Sequence, residues 1–451
     1  MFSGPGKHDF RVPTKPTERN LRPAQSNTML TILDVTERQL CTGCGLCASV
    51  DPQQLEMADV PEHGLRPIPR GPIQNSPSHE LALAVCPGRS LTHERSAPLP
   101  EEIPELFDVW GPCREVWEGH AGDAEIRLAG SSGGAATALA AYALASGFAG
   151  GVMHTAAAPE APLTNHTVIS RNRDDLLSRA GSRYAPASPC DRLDLLAEED
   201  RPLVFIGKPC DVAGLAQLCR KRDDVREKIG LTIAVYCAGT PSSAGTRKLL
   251  EHLGVRDASN VISIRYRGQG WPGEAIVEER MADGQIAEYR MSYAESWGML
   301  TKYRQWRCLI CPDHTGEFAD ISVGDPWYRE TSPDEPGLSL IMARTERGVE
   351  FLKRAVAAGY LSAEPADPQI VPKSQEHLFR VRSELWGRLL ALRLCFIPVP
   401  NYRNYRLFRN WLHGIGWKQK IRSVASTLAR IKRRSLNRRV PMTESADEST
   451  A

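Results

Sequence analysis

At 451 residues, with 41% hydrophobic and 24% charged side chains, the chain has room for two or three domains and excludes a wholly disordered or membrane-embedded protein. The formal net charge of +2 hides an asymmetry, because Leu385 to Thr443 carries fourteen Lys and Arg and no acidic residue. Setting those fourteen aside leaves −12 for the rest, so a basic surface segment on an acidic body is expected.

Residues 1–30 are polar and Pro-rich and read as a disordered arm, without the apolar core of a secretory signal. A cytoplasmic location is therefore expected, where disulfides are unlikely and the tightly spaced members of the twelve cysteines point to metal, while Cys113, Cys190, Cys219 and Cys395 read as structural. Residues 31–100 form a small module around Cys41-Thr-Gly-Cys44-Gly-Leu-Cys47, with Cys86-Pro87 far downstream. Three thiolates at this spacing suit three irons of a cubane, and the distant Cys-Pro suits the fourth. Gly43 and Gly45 let the backbone turn tightly enough for its amides to point at sulfur. A zinc or purely structural site is the competing reading, although structural zinc normally takes two C-x-x-C knuckles.

A Pro-containing connector leads to residues 105–260, which alternate between apolar runs and helical stretches. Leu128 to Met153 has no charged side chain but is mostly Gly, Ala and Ser, which predicts a buried Ala-rich helix rather than a membrane span. Leu203–Gly207 and Leu231–Tyr236 read as buried strands, followed by helices over Asp211–Lys221 and Ser243–Leu253. Strand, glycine-bearing turn and helix in repetition predict an α/β layer with parallel strands. Residues 261–400 begin with β-prone stretches and contain a C-x-x-C pair.

Cys210 and Cys237 fall just past the ends of predicted parallel strands, where sites in α/β sheets gather, and Cys308-x-x-Cys311 can complete a four-thiolate cage. Singly, each is more often a packing cysteine. Gly130-Ser-Ser-Gly-Gly-Ala-Ala-Thr137 opens the Ala-rich helix and offers amides to a phosphate. Gly181-Ser-Arg-Tyr184 and Arg267-Gly-Gln-Gly-Trp-Pro-Gly273 add cations and aromatic faces. Each of these is singly a common loop. No G-x-G-x-x-G after a strand, Walker A, G-x-S-x-G or H-E-x-x-H pattern occurs, which argues against the dinucleotide fold, nucleotide hydrolysis, serine hydrolysis and zinc proteolysis.

Seven ordered segments, the cysteine run at 41–47, GSSGGAATAL at 130–139, GSRYAPASP at 181–189, FIGKPCD at 205–211, YCAGTPS at 236–242, YRGQGWPG at 266–273 and RCLICPDHTGEFADISVGDPW at 307–327, resemble the coenzyme F-420 hydrogenase/dehydrogenase beta subunit family. Plant-type 7-hydroxymethyl chlorophyll a reductase is a relative of that family. The resemblance implies a mixed α/β (α+β) fold: a ferredoxin-like iron–sulfur module, an α/β flavin-binding domain and a C-terminal helical basic region. It implies FAD held by Ser132, Gly133, Gly134 and Thr137 at the phosphates and by Ser182, Tyr184, Gly268 and Trp271 at the ring. It also implies two [4Fe-4S] clusters, one on Cys41, Cys44, Cys47 and Cys86, the other on Cys210, Cys237, Cys308 and Cys311. The expected function is an oxidoreductase that relays electrons from a ferredoxin-type carrier through both clusters to FAD and a small organic acceptor. The alternative is a subunit that oxidises the deazaflavin coenzyme F-420 as substrate and feeds electrons outward into a larger complex. No catalytic residue is assigned.

Residues 401–440 read as basic amphipathic helices. Trp417, Ile421, Val424, Leu428 and Ile431 recur at 4-3-4-3 spacing, which puts them on one helix face. That face fits a peripheral contact at the inner membrane surface or a protein partner better than nucleic acid, and a metal-stabilised binding module is the non-enzymatic reading. Residues 441–451 read as a disordered tail.

Overall fold

The computed structural model describes residues 31–330 and 336–442, so the expected arm at 1–30 and nearly all of the tail at 441–451 lie outside it. Helix α1 (Ile32–Glu37) starts at Thr31, whose hydroxyl accepts from the Asp34 amide while the Asp34 carboxylate accepts from the Thr31 amide. A loop then leads to α2 (Leu46–Val50), the antiparallel hairpin β1 (Leu55–Val60) and β2 (Gly64–Pro69), helix α3 (Pro77–Ala84), β3 (Ser90–Thr92) and α4 (Pro104–Trp110).

The body begins with β4 (Glu115–Ala121), α5 (Ala124–Ala129), α6 (Ala135–Ala145), β5 (Gly151–Ala158), β6 (Ala161–Ser170) and α7 (Arg173–Ser178). It continues through β7 (Leu203–Gly207), α8 (Pro209–Cys219), α9 (Asp223–Glu227), β8 (Ile229–Val235) and α10 (Ser243–Leu253). A three-stranded meander follows, β9 (Val261–Arg265), β10 (Glu274–Arg280) and β11 (Ile286–Ser292), with α11 (Tyr293–Leu300) after it. Then come β12 (Ile321–Gly324), β13 (Ser339–Ala343), α12 (Glu346–Ala357), β14 (Leu361–Pro365), α13 (Ile370–Ser374), α14 (Glu376–Leu394), β15 (Asn401–Arg403), α15 (Leu407–Gly414) and α16 (Trp417–Arg433).

Eight strands form one mixed sheet in the order β14-β4-β13-β12-β8-β7-β5-β6. The centre, β12-β8-β7-β5, is parallel as expected, whereas both flanks are antiparallel, which the alternating strand and helix pattern did not reveal. Both faces of the centre are covered. Val204, Leu231 and Ile233 pack beneath α6 and α12, while Leu203, Phe205 and Ala234 face α8 and the N-terminal cysteine module. That double cover is why β7 and β8 read as nearly continuous apolar runs, broken in β8 by Thr232. Helix α6 lies close on the sheet because its buried positions are mostly alanine, so the charge-free stretch is core. Among the described residues no helix is long and apolar enough to cross a membrane.

The N- and C-terminal regions interlock rather than standing as separate modules. Strand β15 pairs in parallel with β3, and Leu385, Leu389 and Leu392 of α14 pack with Val35, Leu40, Trp306 and Ile310. The expected helix over Trp417–Ile431 is present, but it docks on α14 through Ser423, Thr427 and Ile431. Trp417 and Ile421 stay 67% and 60% exposed. The seam has a steric cause: Gly387 of α14 admits the Ser423 hydroxyl closely, so α16 docks through Ser423, Thr427 and, of the expected apolar face, Ile431.

Candidate functional site

The first cysteine loop depends on two left-handed glycines. Gly43 has φ 73° and Gly45 φ 86°, and at Gly45 a Cβ would lie 2.7 Å from Asp191. The Gly43 amide donates to Cys41 Sγ at 3.3 Å. Cys41, Cys44, Cys47 and Cys86 line one small apolar cavity with Ile32, Val35 and Leu46. Burial, reinforced by the neighbouring Asp211 charge, pushes the Cys44 thiol up to about 12; burial and then Cys41 push Cys86 up to about 11. Such thiols ionise only where a metal supplies compensating charge.

The second set converges as well. Cys210 sits in the first turn of α8 beyond β7, Cys237 just past β8, and Cys308 and Cys311 in the 3-10 turn Trp306–Ile310 and directly after it. All four line a second cavity, which also touches Thr42 of the first loop. Amides again point at sulfur: Gly239 donates to Cys237 Sγ at 3.4 Å and Thr240 to Cys308 Sγ at 3.3 Å. Burial raises Cys237 to about 12 and Cys311 to about 11, the latter against the pull of Arg307. Among the described residues no three His, Cys, Asp or Glu side chains close around a point as a single ion requires. The chemistry of the donor set, all thiols with amides aimed at sulfur, fits an iron–sulfur group.

Two cations, Arg307 buried and Lys208 largely so, stand close to both sets, and sequence reasoning assigned neither of them a role. Arg307 donates to the Pro87 carbonyl at 3.0 Å, next to Cys86, and also feels the thiols of Cys311, Cys210 and Cys308. Lys208 bridges Asp211 at 2.7 and 2.8 Å and the Ala187 carbonyl at 2.9 Å. Burial pushes the Lys208 ammonium down, but Asp211 and then Cys210 more than offset it, so it stays charged. Both residues lie inside the quoted motifs FIGKPCD and RCLICPDH; a cation beside a cysteine was the available signal.

A cavity of about 950 Å³ opens at the C-terminal ends of β7 and β8, the edge where doubly covered sheets place ligands. Tyr184, Tyr293, Trp297 and Trp327 give it aromatic walls, and Tyr293 stacks on Trp327 with centroids 5.7 Å apart. Behind that wall the Arg267 guanidinium binds Asp325 at 2.9 and 2.6 Å and lies 4.6 Å from the Tyr293 ring centroid. Asp325, which had no role from sequence, thus anchors the wall, and Gly324 lies flat against Tyr236.

Of the eight residues expected to touch a flavin, Thr137, Ser182 and Tyr184 line this cavity. The other five do not, for packing reasons. Ser132 donates to the Leu338 carbonyl at 2.5 Å, the Gly133 amide donates to Ser339 Oγ at 2.9 Å, and Gly134 lies against the Ile126 carbonyl. Gly268 is pressed on Arg265 and Ala129, and Trp271 is 2% exposed with Nε1 donating to Asp325 at 2.8 Å. Ser131, one residue earlier, instead ties the loops together by accepting from the Ser182 amide at 2.7 Å.

Two family models match the chain: coenzyme F420 hydrogenase/dehydrogenase beta subunit, N-terminal part over residues 116–193 and C-terminal part over 200–369. An uncharacterized protein of Methanocaldococcus jannaschii is 23% identical over 377 residues, 76% of this chain and 94% of that one. The coenzyme F420 hydrogenase subunit beta of Methanothermobacter thermautotrophicus is 27% identical over 266 residues, 57% of this chain and 87% of that one. A coenzyme F420-dependent sulfite reductase of Methanocaldococcus jannaschii is 26% identical over 338 residues, 72% of this chain and 47% of that one. A chain of the F420-reducing [NiFe] hydrogenase complex from Methanosarcina barkeri aligns with a TM-score of 0.47 at 23% identity, over 66% of this chain and 97% of that one. The names of these relatives give coenzyme F420, and the expected FAD draws no support from them. The matched segments together carry the strand edge, the second thiol set and the aromatic cavity, and the chain belongs to the coenzyme F420 hydrogenase/dehydrogenase beta subunit family.

Proposed function

We propose that the protein is an oxidoreductase that takes reducing equivalents from coenzyme F420 in the aromatic cavity and passes them out singly to an electron carrier or partner subunit. The observation that carries this reading is continuity. Cys237 lines both the aromatic cavity and the second thiol pocket, and Thr42 borders that pocket and the first one. The relatives' names favour the deazaflavin alternative over a ferredoxin-driven FAD reductase.

Cys210, Cys237, Cys308 and Cys311 would hold one iron–sulfur cluster and Cys41, Cys44, Cys47 and Cys86 a second, groups that supply one-electron transfer. The chain's own residues orient and insulate that path. Aromatic faces of Tyr184 and Trp327 offer a flat ring a stacking surface, and Lys208 and Arg307 lower the cost of negative charge on the thiolates.

The test is an anaerobic assay of the purified protein with reduced coenzyme F420 and a one-electron dye. A deazaflavin-dependent rate is expected. A protein with full iron that reduces the dye only from ferredoxin would restore the opposite direction of flow, and flavin released on denaturation would restore FAD.

We also infer a peripheral contact with an anionic lipid surface. Trp417, Ile421 and Leu428 point outward on α16, flanked by Lys418, Lys420, Lys432 and Arg433.

A further inference from the structure

Beside the second thiol pocket lies another cavity, of about 260 Å³, between α14, α16 and the segment that carries Cys308. Its walls hold five guanidinium groups, from Arg304, Arg380, Arg388, Arg422 and Arg430, against the single carboxylate of Glu384. That carboxylate is already engaged by Arg388 at 2.6 Å. Arg304 spends donors on the Ala238 and Thr301 carbonyls, and Arg430 on the Ser426 hydroxyl. Arg422 makes no hydrogen bond or ion pair among the described residues.

Like charges so gathered repel one another, and an anion in the cavity would relieve that repulsion. Burial, then repulsion from Arg388 and Arg433, pushes the Arg430 guanidinium down. Two buried polar atoms on the cavity wall also lack partners: Nε of Arg388 and Nε2 of His314, each on a residue 6% exposed. Neutralising the nearby thiolates accounts for part of this charge, since Arg304 feels Cys308 and Cys237. It does not account for Arg430, whose electrostatic neighbours are other arginines and Glu384. Four of the five arginines lie beyond residue 369, where the family match ends, so the cavity is built largely by this chain's C-terminal region.

We propose that this arginine-walled cavity is an oxyanion site for the phosphate or carboxylate groups of a small molecule carrying two or more negative charges. Guanidinium forks match such groups bidentately, and a volume of this size suits a small anion or the acidic end of a larger ligand. Ala238, His377 and Leu378 line both this cavity and the aromatic one, so the anion sits next to whatever the aromatic cavity binds. The acidic group therefore comes from one of two sources, the far end of that ligand or a separate solute.

The experiment is calorimetric titration of the anaerobically purified full-length protein with inorganic phosphate and with citrate. Saturable binding of at least one is expected, weakened tenfold or more in Arg422→Gln/Arg430→Gln and hardly at all in the charge-matched control Arg393→Gln/Arg403→Gln. Iron content and circular dichroism check that the variants are intact, and Arg422→Gln alone serves if the double variant fails to fold. Binding of neither probe, or equal weakening in the control, overturns the proposal. Adding oxidised coenzyme F420 to the titration assigns the source: displacement of phosphate makes it the cavity ligand's acidic end, simultaneous binding makes it a separate solute, and either upholds the site. No electron transfer is read, so failure of the deazaflavin reading leaves this test intact.

Discussion

Gly45 sits at φ 86°, with Asp191 where a side chain would begin. Alanine there combines backbone strain of about 1–3 kcal/mol with a clash that the flanking Cys44 and Cys47 must absorb. If both thiol sets hold clusters as proposed, Gly45→Ala should lose about half of roughly eight irons per chain, measured on anaerobically purified protein; full iron would show that the loop has slack. His154 belongs to the same scale. It is buried on β5 with Nε2 against Ser170 Oγ of the neighbouring β6 at 2.8 Å, and burial, opposed by the Thr155 carbonyl, lowers it to about 4. A histidine depressed on folding costs nothing above its unfolded value of about 6.5. Below that the unfolded chain binds the proton first, so stability falls until about pH 4, by something on the order of 3 kcal/mol. Melting temperatures between pH 7 and 4 should drop less steeply in His154→Gln than in the parent protein.

Helix α16 packs through Ser423, Thr427 and Ile431 and leaves Trp417, Ile421 and Leu428 outward. At Gly387 a Cβ would come within 2.1 Å of Ser423 Oγ, so Gly387→Ala should destabilise by about 1–3 kcal/mol in urea unfolding. The outward side chains behave oppositely. Trp417→Ala/Ile421→Ala/Leu428→Ala should leave the unfolding midpoint nearly unchanged, yet abolish co-sedimentation with anionic vesicles. Undiminished sedimentation of that variant would reassign the stripe to a protein partner. Truncating the whole region is a poorer probe, because Tyr402 and Tyr405 pack against the core that encloses Leu40, Trp306 and Ile310.

Across the whole molecule the aromatic cavity shares Cys237 with the second thiol pocket, which shares Thr42 with the first, so the proposed electron path is a line that ends at Cys41 to Cys86. A line makes the two pockets unequal in function. Cys47→Ser and Cys311→Ser should each lower iron by about four per chain. Only Cys311→Ser should slow the first reduction step seen in single-turnover mixing with reduced coenzyme F420. Cys47→Ser should leave that step and block onward transfer to the dye. Equal effects on the first step would break the proposed order.

Much of this was open to view in one dimension. The C-x-x-C-x-x-C run, the strands read at 203–207 and 231–236 (the second found at 229–235), the helix at 243–253 and the basic segment from Leu385 to Thr443 follow from spacing, apolar period and charge, which are local properties. Cys210 and Cys237 announced themselves because a strand end is a local event that the sheet then turns into a shared edge. What only the tertiary structure decided depends on contacts between distant residues. The antiparallel flanks, the packing of Ser132, Gly133, Gly134, Gly268 and Trp271 away from the cavity, and the small polar seam of α16 all follow from which surface each segment meets. The convergence of Arg304 with Arg422 and Arg430 is of the same kind: a helix at the end of the chain folds back on the second cysteine turn, and no local pattern encodes that meeting.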